Sequence, residues 1–239
     1  MSRTQGRVAA ASAPVAAAGL EPPRSVNAPA APPPSRDADR TRNAILAAAT
    51  AEFAVNGLAG ARVDRIAGVS GANKRMIYYY FNSKDELYLA VLEEAYTAMR
   101  ESERTLRLDH LAPVPAIRRL VEFKFDFWVE NPSLIWLLNG ENMMGAQHLK
   151  RSTRLKEMHA SLVRTIGSIL DAGVANGTIR SEVDPLHLYI SISGLSYFFF
   201  SNGPTLTTAF NKDLGSGAAR KARRAHVVDV IAGYLAPPR

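Results

Sequence analysis

Residues 62–87 read RVDRIAGVSGANKRMIYYYFNSKDEL, and this stretch decides the fold. It divides into two short helices joined by a turn. Val63, Ile66 and Ala67 give the first helix an apolar face, and Gly68-Val69-Ser70-Gly71-Ala72 breaks it. Asn73 can cap the second, because its side-chain oxygen accepts from a first-turn backbone N–H that has no partner within the helix. That second helix runs to about Phe81. At about 100° per residue, Lys74, Arg75, Tyr78 and Tyr79 fall on one side, and Met76, Ile77, Tyr80 and Phe81 on the other. Docked by its apolar side, such a helix presents cations and phenols outward, as a helix entering the DNA major groove does.

The Ile66-Ala67 pair, the turn glycine Gly71, the run Tyr78-x-Tyr80-Phe81 and the following Lys84-x-x-Leu87 together resemble the TetR family of bacterial transcriptional regulators. The resemblance covers roughly residues 38–92 strongly and the remainder by helical layout. It implies an all-α protein: an N-terminal three-helix head with a helix-turn-helix, and a C-terminal helical body for effector binding and dimerisation. The implied DNA-facing set is Arg62, Asn73, Lys74, Arg75, Tyr78, Tyr79, Tyr80 and Lys84. In it, Lys74, Arg75, Tyr78 and Tyr79 meet bases and phosphates, while Arg62, Tyr80 and Lys84 anchor on the backbone of a double-stranded operator. Two departures stand out. Asn73 replaces the usual Ser and keeps a capping group. Ala61 replaces a capping Thr, which weakens the start of the preceding helix by about 1 kcal/mol.

Working outward, Ser83 and Glu86 form a capping-box pair, so a helix starts there and runs towards about Leu106. Its free N–H groups favour an anion, and Lys84 adds a cation, making it the strongest single candidate for a phosphate contact. Upstream, Ile45, Leu46, Ala49 and Phe53 recur at helical spacing, predicting a helix from about Arg36–Asp39 to Val55 with a stop at Asn56-Gly57. Asp39, Arg40 and Arg42 near its start fit either a phosphate neighbour or a solvated turn. Residues 1–36 are rich in Ala and Pro, with almost no large apolar side chains, and read as a disordered tail, either inert or adding non-specific DNA affinity. The expected division is therefore a 1–36 tail, a 37–92 DNA-binding domain and a 93–239 body.

Downstream the pattern is helical throughout. Ile117 to Trp128 form an amphipathic helix that ends before Asn131-Pro132. Leu134 to Leu138 read as a short apolar segment interrupted by the polar run Asn139-Gly140-Glu141-Asn142. A long helix from about Ala146 stops near Asn176-Gly177. Another starts at Asp184-Pro185 and stops at Asn202-Gly203-Pro204, and a last one spans about Ala218 to Leu235.

The helix after Pro185 is apolar almost all round and must be covered all round, either as the centre of a monomer or partly by a second subunit. It is too short for a membrane span. The resemblance implies a homodimer through the helices near 185–201 and 218–235, in which two reading heads engage half-sites about one DNA turn apart. It also implies a small-molecule effector. Phe127, Trp128, Trp136, Asn139, Asn142, His148 and Tyr197 are the candidate contacts, since an apolar cavity with a few placed polar groups is how such a site is built. Taken singly, each aromatic fits a core and each amide a loop. The runs NGEN (139–142), HLKRS (148–152), DPLHLYISISGL (184–195) and SN (201–202) resemble the subgroup that includes the nicotinate-catabolism repressor. That resemblance implies a small aromatic carboxylate, with His148, Lys150 or Arg151 as its charge partner.

Composition bounds the rest. A formal net charge of +7 favours polyanions without choosing among DNA, RNA and anionic lipid. The chain has no cysteine, which removes disulfides, thiolate nucleophiles and Cys-based zinc sites and fits a cytoplasmic protein. No glycine-rich phosphate loop, HExxH or GxSxG run is present, and the histidines show no metal-ligand spacing. The expectation is a regulator with no catalytic residues, metal or cofactor. A repressor released by its effector and a DNA-binding protein without one both fit the sequence.

Overall fold

A computed structural model of the chain describes residues 36–238, and among them every regular element is helical. The helices are α1 (Arg36–Gly60), α2 (Val63–Ser70), α3 (Lys74–Phe81), α4 (Lys84–Arg104), α5 (Pro113–Glu130), α6 (Pro132–Met143), α7 (Thr153–Ala175), α8 (Pro185–Ser201), α9 (Gly203–Phe210) and α10 (Gly217–Leu235). The expected all-α class with a helix-turn-helix head is what the chain adopts. Of the expected 1–36 tail, residues 1–35 lie outside the described residues, and Arg36 is the first residue of α1.

The head forms as its sequence dictates. Gly57 has φ 62°, a left-handed backbone that breaks α1 where the Asn56-Gly57 stop is expected. Gly71 ends α2 at φ 71°, giving the sharp turn between the two short helices. Asn73 caps α3, its side chain accepting from the Met76 N–H at 2.9 Å. Ser83 caps α4 by accepting from the Glu86 N–H at 3.1 Å. The other half of the expected capping box is not made: the Glu86 carboxylate pairs with Arg151 instead. The N-cap of α2 is Arg62 rather than Ala61, and its side chain makes no capping hydrogen bond. Glu52 of α1 takes over, its Oε1 accepting from the Arg62 N–H at 3.0 Å, so a carboxylate sits at the positive end of α2. The head core is Ile45, Phe53, Ile66, Ile77, Phe81 and Leu87, all at most 4% exposed.

Head and body share a core. Tyr88 on α4 is buried among the head residues, packs edge-on against Phe53 at 5.1 Å, and donates to the Leu137 carbonyl of α6 at 3.2 Å. Beside it, His148 lies 2.9 Å from Glu141 through Nδ1 and 3.4 Å from Asp85 through Nε2. Glu141 is fully buried and accepts the N–H groups of His148 at 2.8 Å and Leu149 at 3.0 Å. That buried carboxylate explains a difference from the sequence reading. NGEN does not interrupt the chain; α6 runs through it to Met143, turning Glu141 inward to hold the next loop. The long helix accordingly starts at Thr153, capped by Ser152, rather than near Ala146, which has φ 58°. Helix α9 was not expected at all: Gly203-Pro204 reads as a stop, but proline in the first turn of a helix costs no hydrogen bond.

The body core is built from α5, α7, α8 and α10 around Ile117, Leu120, Phe125, Ile166, Ile192 and Val227. Helix α8 is covered on only part of its circumference. Leu186, Ile190 and Phe198 are 48%, 53% and 53% exposed along one stripe, and Val230 and Tyr234 of α10 are also exposed. No helix among the described residues is long and apolar enough to cross a membrane.

Candidate nucleic-acid interface and body cavity

On α3 the two faces separate as the spacing predicts. Ile77 and Phe81 are buried and Met76 and Tyr80 half-buried, while Lys74, Arg75, Tyr78 and Tyr79 are exposed. Tyr79 packs edge-on against Tyr80 at 5.3 Å. The Lys74 ammonium is 2.6 Å from Asp64 of α2, and hydrogen bonding to that carboxylate raises its pKa. Arg62 is exposed at the start of α2. Lys84 is half-buried and donates to the Ala61 carbonyl at 3.1 Å, which fixes its ammonium between the starts of α2 and α4. Arg42 of α1 stacks over the Phe81 ring at 5.4 Å. The candidate set Arg62, Asn73, Lys74, Arg75, Tyr78, Tyr79, Tyr80 and Lys84 thus shares one end of the molecule, with Asn73 engaged as a cap. Exposed cations and phenols on a helix face are suited to phosphate and base-edge contacts.

The body holds a cavity of about 520 Å³ between α4, α5, α6 and α8, bordered by Tyr96, Lys124, Trp128, Tyr189 and Tyr197. Of the sequence candidates, Trp128, Asn142 and Tyr197 border it. Asn139 stands behind, accepting from the Tyr197 hydroxyl at 2.6 Å, and Phe127 packs edge-on against Trp128 at 5.6 Å. The remaining two lie elsewhere. Trp136 is 52% exposed and lines a separate groove with Trp128 and Pro204. His148 is committed to Glu141 and Asp85 in the head–body joint, and Arg151 to Glu86 on the surface.

Lys124, Arg100 and Glu103 were missed by sequence reasoning. Lys124 is 2% exposed with its ammonium 2.5 Å from Glu103 Oε1; Glu103 Oε2 pairs with Arg100, whose other terminal nitrogen donates to the Tyr189 hydroxyl at 3.2 Å. Lys124 occupies the apolar stripe Ile117-Leu120-Val121-Phe127-Trp128 at helical spacing, and a charge in such a stripe is the signal that could have found it. Burial lowers the Lys124 pKa against the opposing pull of Glu103. Burial also pushes the Tyr197 hydroxyl up to about 12, so it serves as a neutral hydrogen-bond group.

Comparison with known proteins agrees with this geometry. Residues 45–91 match "Bacterial regulatory proteins, tetR family", and residues 113–231 match "Tetracyclin repressor-like, C-terminal domain". The HTH-type transcriptional repressor NicS of Pseudomonas putida is 37% identical over 186 residues, covering 78% of this chain and 88% of NicS. The HTH-type transcriptional regulator RutR of Escherichia coli K12 is 31% identical over 160 residues, covering 66% of this chain and 73% of RutR. A solved structure of the putative transcriptional regulator SCO4942 from Streptomyces coelicolor superposes with a TM-score of 0.64 at 27% identity, covering 83% of this chain and 99% of that one. These relatives are transcription regulators, not enzymes.

Proposed function

Because the chain belongs to the TetR family of bacterial regulatory proteins, we propose that it is a repressor that binds a palindromic operator as a homodimer and is released by a small aromatic carboxylate. DNA-binding control of transcription comes with the family; operator form, dimer and effector are the proposal. The observation that carries it is α3, capped by Asn73, held down by Ile77 and Phe81, and outwardly cationic and phenolic. Two such helices reach successive major grooves when a two-fold axis sets them about 34 Å apart. The exposed stripe of Leu186, Ile190 and Phe198 with Val230 and Tyr234 supports that axis at α8 and α10, because an apolar patch of this kind marks an association surface.

The head at 37–92 and the body at 93–239 divide the work, and α4 crosses the boundary between them. An effector in the aromatic cavity acts on α4 and so on the spacing of the heads. It can do so only by binding the DNA-free form better than the bound form. Binding to the chain's own upstream intergenic DNA, against scrambled DNA at two salt concentrations, tests the reading. Saturable, sequence-selective binding by a dimer is expected. Equal binding to both DNAs would reduce the protein to a non-specific basic binder.

A further inference from the structure

Arg100, Glu103 and Lys124 are 5%, 6% and 2% exposed, so two cations share one carboxylate out of water. The Arg100 Nε has no hydrogen-bond partner among the described residues, nor has the indole N–H of Trp128 at the cavity wall. The groups that act electrostatically on Lys124 are Glu103 and Arg100 from α4 and Tyr189 from α8, whose ring lies 5.3 Å from the ammonium. His159 of α7 packs edge-on against Tyr189 at 6.2 Å and loses affinity for its proton through burial, so it adds no anion. Two cations thus face one carboxylate, and no second anion is packed against Lys124 to offset its burial. A buried charge left uncompensated is costly, and an incoming anion relieves that cost.

Resting on the effector-cavity reading, we infer that this surplus is the receptor for the effector's acid group, with Lys124 as the anchor. An ammonium offers three donors. Here one donor goes to the Met99 sulfur at 3.4 Å and Glu103 Oε1 lies 2.5 Å away as an ion-pair partner, while the side chain borders the cavity. The flat ring of the acid lies among Tyr96, Trp128, Tyr189 and Tyr197. His148, Lys150 and Arg151, the partners that the subgroup resemblance implies, do not border the cavity; Lys124 does. The arrangement also gives the acid its grip on the head. Glu103 and Arg100 belong to α4, so a second carboxylate that shares Lys124 with Glu103 acts on the helix that carries Lys84 at its other end.

The test is calorimetry of the full chain with nicotinate and benzoate against nicotinamide and benzamide, alongside operator release. The acids should bind at least about 10-fold tighter than their amides. Lys124→Met should abolish that preference. Lys124→Arg, which keeps a cation at the same place, should retain the preference for acids, and it carries the test if Lys124→Met fails to fold by circular dichroism. Amides binding as well as acids, or acids held equally by Lys124→Met, would overturn the anchor. The cavity reading would survive that result if a neutral compound still released DNA and Tyr197→Ala abolished the release. Indifference of the operator complex to every compound would sink both.

Discussion

On α3, Lys74 and Arg75 stand in water above a buried underside of Ile77 and Phe81, whereas in the body Arg100 and Lys124 are inside and Leu186, Ile190 and Phe198 are outside. Each region is suited to a different encounter. Exposed cations are screened over a Debye length of about 8 Å at physiological salt, so contacts made by the head weaken as salt rises. Arg100 and Lys124, themselves buried, are largely shielded from the bulk solution. Polyanion binding at one end and acid binding at the other should therefore respond to salt very differently. The exposed apolar stripe adds a third behaviour, since its association draws on removal of hydrocarbon from water.

Four experiments press on that contrast. The largest effect is expected from Leu186→Asp combined with Phe198→Asp, which places charge in the apolar stripe without touching the cavity. Light scattering should show a monomer, and operator affinity should fall by about 100-fold or more as two-headed binding is lost. Persistence of a dimer would move the interface elsewhere. Next, Lys84→Ala should weaken binding to all DNA sequences alike and lower the slope of log affinity against log salt by about 1, whereas acid binding keeps its small salt dependence. A change in sequence preference at unchanged slope would remove Lys84 from the phosphate contacts. Smaller still, Asn73→Ala should cost about 1 kcal/mol in urea unfolding by leaving the first turn of α3 uncapped.

The smallest effect concerns His159. Burial holds its pKa below the ordinary 6.5, so the folded state binds fewer protons there than the unfolded chain. Its contribution to stability is complete above pH 6.5 and is lost as pH falls towards the folded-state value. His159→Gln should flatten the decline of melting temperature on acidification. An unchanged decline would assign it to other groups.

The head was legible because its determinants are local. One eight-residue helix, its cap and its turn glycine lie within a single stretch, and each acts on neighbours a few positions away. Where the sequence reading failed there, at the Glu86 half of the capping box, a partner distant in sequence had intervened: Arg151. The body was legible only as helices. Its cavity is assembled from four of them, and spacing along one helix says nothing of what faces it. Trp128 and Tyr197 were found because aromatic rings are conspicuous. His148 was conspicuous for the same reason, yet serves the joint with Glu141. Lys124 escaped because a lysine in a helix is ordinarily a solvated charge, and only its place in an apolar stripe marks it otherwise.

Helix α4 is continuous for 21 residues, roughly 31 Å, with Lys84 at its first position and Glu103 near its last. Coupling along such a rod is reciprocal: if the acid lowers operator affinity by some factor, the operator lowers acid affinity by the same factor. Chromosomal DNA then competes with the acid for the protein without entering its cavity. The dose at which repression lifts becomes a property of how much DNA each protein molecule faces, so the same chain would read as a more sensitive detector in a test tube than in a crowded nucleoid.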